Sequence, residues 1–194
     1  MKTYLRLTAI IAGALALTSA APAQAPGVAA RPPILIASCG QSNGPNMISV
    51  LVRKAGLEYE LNPLATIADL KAKPYKSLII TMGSSLKGMG AAGIDIDDEL
   101  QRTAALIAEA RKLKIAVLGA HIEGMKRRAQ GAEAGDTTDE QTIDLVAPQS
   151  DLLLVWKDGN SDGRFTTISK QNKIPLVEVE KQIDLVKELE KIFK

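Results

Sequence analysis

The chain predicts a three-layer α/β sandwich: a mostly parallel sheet of about six strands, doubly wound in a flavodoxin-like or Rossmann-like order. Three observations carry this. Short apolar runs alternate with helical patterns from Ile34 to the end, and such alternation implies strands joined by right-handed helical crossovers. Several runs are nearly unbroken Ile, Leu and Val, as strands covered on both faces require. The longer, Gly-rich polar segments follow the runs, and open α/β sheets place ligands at the carboxyl ends of their strands.

In order, the expected strands are Ile34–Ser38, Leu57–Leu61, Ser77–Thr81, Ile115–Gly119, Asp151–Trp156 and Pro175–Val179. Between the first two, Met47, Ile48, Leu51, Val52 and Ala55 share one helical face, with Pro45 at its first position and Gly56 at its stop. A shorter, weaker helix is expected over Thr66–Ala72. After the third strand, Ile96, Leu100, Ala104 and Ile107 form a stripe. Asp95, Asp97, Asp98 and Glu99 gather at its start and Arg111, Lys112 and Lys114 at its end, an order that complements the helix dipole. The last helix, from Lys181 to Phe193, carries Ile183, Val186, Leu189, Ile192 and Phe193 on one side.

Ahead of the domain, Lys2 and Arg6 precede an apolar run from Leu7 to Leu17, followed by Ser19-Ala20-Ala21-Pro22-Ala23. These are the parts of a secretory signal peptide, and the run is short for a membrane span. The expectation is cleavage after Ala23, export to the periplasm, a Pro/Ala-rich mobile leader over 24–33 and a single domain over 34–194. Of the 24 basic residues, Lys2 and Arg6 leave with the signal, so 22 then face 22 acidic ones. A neutral chain with 3% aromatic residues has neither the basic stripe nor the stacking platforms of a nucleic-acid binder. The single cysteine, Cys39, excludes an internal disulfide. Ile36-Ala37-Ser38-Cys39 also fits the short pattern before a lipidated cysteine, but Arg31, Pro32 and Pro33 separate it from the apolar run.

The candidate site lies in four loops, at Cys39–Gly44, Met82–Ile94, Ala120–Asp136 and Lys157–Arg164. In the first, Gln41, Ser42 and Asn43 precede a helix whose N–H groups favour an anion. In the second, Gly83 to Gly93 holds four glycines, with Ser84, Ser85 and Lys87 as donors. It matches neither the phosphate-loop nor the dinucleotide fingerprint. His121, the one histidine, heads the third loop with Glu123, Lys126, Arg127 and Arg128. Cys39 with His121 is a possible thiolate pair. In the fourth, Asp158-Gly-Asn160-Ser-Asp162-Gly opens like a calcium loop, but Ser169 stands where a bidentate Glu belongs. Calcium at Asp158, Asn160 and Asp162 is therefore a minor reading, and no other cofactor is expected.

Gly40-Gln41-Ser42-Asn43 resembles the nucleophile motif of a family of carbohydrate acetylesterases. The resemblance implies Ser42 as nucleophile, and His121 is the only conventional base. That family's D-x-x-H near the C-terminus is missing; this chain ends in a Lys/Glu-rich helix. Taken over roughly Pro33 to Phe193, the chain resembles an uncharacterised family of exported bacterial α/β domains. The match rests on Gly40-Gln41-Ser42, Lys87-Gly88-Met89-Gly90-Ala91-Ala92-Gly93-Ile94-Asp95 and Gly159-Asn160-Ser161-Asp162-Gly163. It implies one shared pocket and supplies no reaction.

The expected function is binding of a small polar or anionic molecule, without transforming it, by Gln41, Ser42, Asn43, Ser84, Ser85, Lys87, His121 and Asn160, as a transport or envelope accessory with a possible membrane-transporter partner. The alternatives are a serine esterase-like hydrolase using Ser42 and His121, and a protein-interaction module with no ligand. Ligand identity and oligomeric state are left open.

Overall fold

The computed structural model describes residues 30–128 and 137–194. The expected signal peptide and most of the leader lie outside the described residues. Six strands form one sheet, all parallel: β1 (Ile34–Cys39), β2 (Tyr59–Leu61), β3 (Ser77–Met82), β4 (Ala116–His121), β5 (Leu152–Trp156) and β6 (Leu176–Val179). Their order is β2-β1-β3-β4-β5-β6. The first five follow the flavodoxin arrangement, in which the winding reverses between β1 and β3. The six apolar runs thus became the six strands, and the structure supplies their order.

Among the described residues seven helices cover the sheet: α1 (Gly44–Lys54), α2 (Ile67–Ala72), α3 (Leu86–Ala92), α4 (Ile96–Lys112), α5 (Thr138–Val146), α6 (Arg164–Asn172) and α7 (Leu185–Ile192). On one face, Ile48, Leu51 and Val52 of α1 and Leu185 and Leu189 of α7 pack on Ile34, Ile36, Ile79, Leu118 and Leu154. On the other, Leu70, Leu106, Ile107, Ile143 and Phe165 pack on Leu35, Leu78, Ile80, Val117 and Leu153. Residues of the central strands alternate between the two cores, so both faces are apolar there, while the edge strands β2 and β6 each carry a glutamate. Among the described residues no helix is long and apolar enough to cross a membrane.

Three details differ from the sequence expectation. The domain begins before Ile34: Ala30 is buried, and Arg31 exchanges hydrogen bonds with Ser77 Oγ through its N–H and its carbonyl. These residues are docked on β3 and are not a mobile leader. Secondly, the Gly-rich Met82–Ile94 segment contains helix α3. Glycine lowers helix propensity, but Ser85 caps the start by accepting from Gly88 N, and Gly93 ends the helix in the left-handed region at φ 70°. Thirdly, the buried face of α4 is Glu99, Thr103, Leu106, Ile107 and Ala110. Of the expected stripe only Ile107 is buried, while Ile96, Leu100 and Ala104 are half-buried. The face is turned so that a carboxylate points at the sheet.

Candidate functional site

Register brings the first two loops together. Cys39 pairs with Met82 at the ends of β1 and β3, so Gly40 and Gly83 emerge side by side. A Cβ on Gly40, whose φ is +103°, would stand 2.5 Å from Gly83 O, and one on Gly88 would stand 2.2 Å from Gln41 O. Gln41 forms an antiparallel bridge with Ser84, and Ser85 N donates to Gly40 O at 2.7 Å. The wall expected to face Gln41, Ser42 and Asn43 across a pocket is in backbone contact with Gly40 and Gln41. Gly83–Gly93 packs over Gly40–Gln41, and no pocket separates the two segments there.

The side chains of this sealed loop serve it from within. Glu99 Oε1 accepts from Gly40 N and from Gln41 Nε2, each at 2.8 Å. Its other oxygen pairs with Arg102, which also donates to the carbonyls of Ala65 and Ser38. Ser84 is buried, its N–H on Asp139 Oδ1 at 2.6 Å and its hydroxyl on Thr138. Burial raises the Asp139 carboxyl above its ordinary value, against the lowering effect of the Ser84 N–H. Ser85 caps α3, and Lys87 is exposed.

The N-terminus of α1 already holds an anion. Gly44 N donates to Glu123 Oε2 at 3.1 Å and lies 3.3 Å from Ser42 Oγ. The carboxylate at that position belongs to the chain itself, and Arg127 braces it at 3.4 Å. Asn43 Oδ1 accepts from Asn46 Nδ2 instead of capping the helix backbone.

His121 is the last residue of β4 and is fully buried, stacked on Phe165 at 5.1 Å between ring centroids. Its Nδ1 faces Met82 O at 3.0 Å and its Nε2 faces Gly124 O at 3.2 Å. The structure does not bring it to Ser42 or Cys39; both ring nitrogens face carbonyl oxygens, and the neutral imidazole can donate to one of them. Burial pushes the Cys39 thiol up to about 12, so it stays protonated at neutral pH. Burial likewise lowers His121 below its ordinary 6.5, although the two carbonyls pull the other way. The unfolded chain then takes up the proton first as pH falls, so the stability that neutral His121 confers is present above pH 6.5 and lost on acidification below it. Thermal melts from about pH 7.5 to 5 should show the midpoint falling, with a shallower fall in His121→Asn.

The Asp158–Gly163 turn is internally committed. Asn160 Oδ1 accepts from Phe165 N and Thr166 N, capping α6, while its amide donates to Thr166 and Glu178. Asp158 Oδ2 accepts from Met125 N, and Asp162 pairs with Arg128 at 2.6 Å. The three oxygens expected to converge go to separate partners. Among the described residues no group of three His, Cys, Asp or Glu side chains is placed to hold a metal ion.

Beside the sealed loop the strand ends do open into a cleft of about 510 Å³, lined by Met47, Glu123, Lys126, Arg127, Trp156 and Gln182. It sits on the α1/α7 side of β4 and β5. Trp156 is positioned by its indole N–H on Glu180 O, and Gln182 by its amide on Ile122 O. Gly124, at φ 71°, lets the backbone lie against the Trp156 ring, which a Cβ there would approach to 2.7 Å. Arg127 reaches Ser84 O at 2.7 Å. Lys126 is exposed and has no ion-pair partner among the described residues. Lys126 and Arg127 had a sequence signal, as the basic run after the fourth strand. Trp156 had none beyond being the one tryptophan at a strand end.

Fold and site together define a flavodoxin-ordered, all-parallel α/β domain whose β1 loop is closed by its own chain and whose accessible cleft lies at β4 and β5. More particularly, the chain belongs to the family described as "Domain of unknown function (DUF6305)", whose model matches residues 31–193. No curated protein matches it. Among solved structures it is similar to the SGNH-hydrolase family esterase AlinE4, at 14% identity over 85% of this chain and 83% of that one, with a TM-score of 0.30. A single-residue mutant of the same esterase gives 13% identity over the same shares and a TM-score of 0.29.

Proposed function

We propose that this is an exported, periplasmic binding domain that holds a small anionic molecule in the β4–β5 cleft without transforming it, as an accessory to an envelope or transport system. The cleft carries the reading. It lies where open α/β sheets place ligands, and it sets the Lys126 ammonium, without an ion-pair partner among the described residues, and the Arg127 guanidinium, paired with Glu123, beside the apolar sides of Met47 and Trp156. A few polar groups converging on an apolar wall is the usual make-up of a small-molecule site. Binding without turnover is supported by His121, whose nitrogens meet two carbonyls and not a nucleophile.

Melting the domain with small carboxylates and sulfonates tests this. At a hundredfold excess over Kd a ligand should add about 2.7 kcal/mol, or roughly 5–10 °C for a domain of this size. Lys126→Glu with Met47→Ala should abolish the shift, with the unliganded midpoint lowered only by the lost packing of Met47 on the core. A shift that survives in the double variant, or none with any anion, overturns the reading.

A further inference from the structure

At the opposite end of the sheet, where the strands begin, lies a second open cavity of about 530 Å³, between the last turns of α4 and α6. Its rim carries Arg111, Lys114 and Lys173 against one carboxylate, Asp151. We propose that it is a second anion site, independent of the β4–β5 cleft, and that it binds a phosphoryl group between Lys114 and Lys173.

The two lysines share an unusual setting. Lys114 has φ 57° and Lys173 has φ 56°. Each follows a helix end closed by a backbone bond spanning five residues, Ile115 N to Ala110 O and Ile174 N to Ser169 O, both 2.9 Å. That position calls for a left-handed residue and is normally glycine, because a side chain there crowds the backbone. Two helices facing one cavity both place lysine at it. Complementing the helix dipoles does not require this, since Arg111 and Lys112 already end α4 and Lys170 ends α6. Strained residues of this kind cluster at ligand clamps.

The choice of phosphoryl follows from which cations are free. Arg111, whose planar fork would suit a carboxylate, is occupied by Asp151 at 2.5 Å and by the Gln149 carbonyl. Lys114 and Lys173 have no ion-pair partner among the described residues. Two compact ammonium charges suit a dense, multiply charged group better than a flat one. Such a group could arrive on a soluble phosphate or on a phospholipid headgroup.

Inorganic phosphate titrated into the mature domain, followed by calorimetry, is the direct test, with sedimentation on vesicles of phosphatidylglycerol against phosphatidylcholine as a second arm. Phosphate binding with no vesicle preference assigns the site to soluble ligands, and co-sedimentation with the anionic vesicles assigns it to headgroups. The double variant Lys114→Gly/Lys173→Gly removes both charges and relieves both left-handed side chains. It should fold with an unchanged or higher midpoint and bind at least tenfold more weakly, whereas Lys170→Ala, which removes a nearby exposed cation that lines neither cavity, should leave phosphate binding intact. Equal binding by parent and double variant, or no binding of either probe by the parent, overturns the proposal.

Discussion

Replacing Arg128 by methionine should lower stability by about 3–5 kcal/mol, because buried Glu140 would lose its hydrogen-bonded counter-charge and keep only the less well aligned Arg164. For a domain of this size that is a fall on the order of 10 °C in melting midpoint. The Arg128 side chain is 1% exposed and donates to Glu140, itself fully buried, at 2.6 Å. The same guanidinium holds the Gly159 carbonyl and Asp162, and lies over the Phe165 ring at 5.6 Å. Arg164 Nε also faces Glu140 Oε2 at 2.9 Å, an ion pair off the line of a hydrogen bond, so Glu140 Oε1 has Arg128 as its hydrogen-bonding partner. Arg128 therefore ties the third and fourth strand-end loops to α5. The double change Arg128→Met/Glu140→Leu should recover much of the loss, since exchanging the whole pair for apolar side chains is often neutral. A single-variant cost under about 1 kcal/mol would show that the pair is not desolvated as described.

Gly40→Ala should be nearly as severe, at about 2–5 kcal/mol. At φ +103° a side chain strains the backbone by about 1–2 kcal/mol. The added Cβ would also stand 2.5 Å from Gly83 O and 2.6 Å from the Ser84 Cα. These are backbone atoms that cannot swing aside, so overpacking adds about 1–3 kcal/mol. The change should part the Gln41–Ser84 bridge, and hydrogen exchange at Ser85, whose N–H sits on Gly40 O, should speed up with it. Gly90→Ala is the control: nothing lies within 4 Å of a Cβ there, so stability should hold or rise. If both substitutions are tolerated alike, the closed loop is not the rigid seam seen here.

The unexpected parts of the site have a common cause. Glu99 was legible only as one of several acids opening a helix, yet it lies four, seven and eleven residues before Thr103, Leu106 and Ala110, all buried. That spacing marks one helical face, and the acid on it was the available sign that a carboxylate points inward. Glu123 gave no comparable sign. Its role rests on the meeting of β4's end with α1's start, 79 residues apart. Local pattern could locate an anion-favouring helix start at Pro45, one residue from the observed Gly44, but not that the protein supplies its own anion.

The sequence by itself determined six strands, their parallel class and the carboxyl-end placement of the loops. Those follow from unbroken Ile, Leu and Val runs alternating with helical stripes, which are local properties. Only the tertiary structure decided the β2-β1-β3-β4-β5-β6 order, the sealing of Gly40–Gln41 by α3, and the displacement of the open cleft to Met47, Lys126, Arg127 and Trp156. Polar loop residues satisfy their hydrogen bonds with whichever partner the packed chain brings nearest. Whether Gln41, Ser84 or Asn160 faces a ligand or a neighbouring loop is thus set by strand register and helix rotation, which no short stretch of sequence encodes.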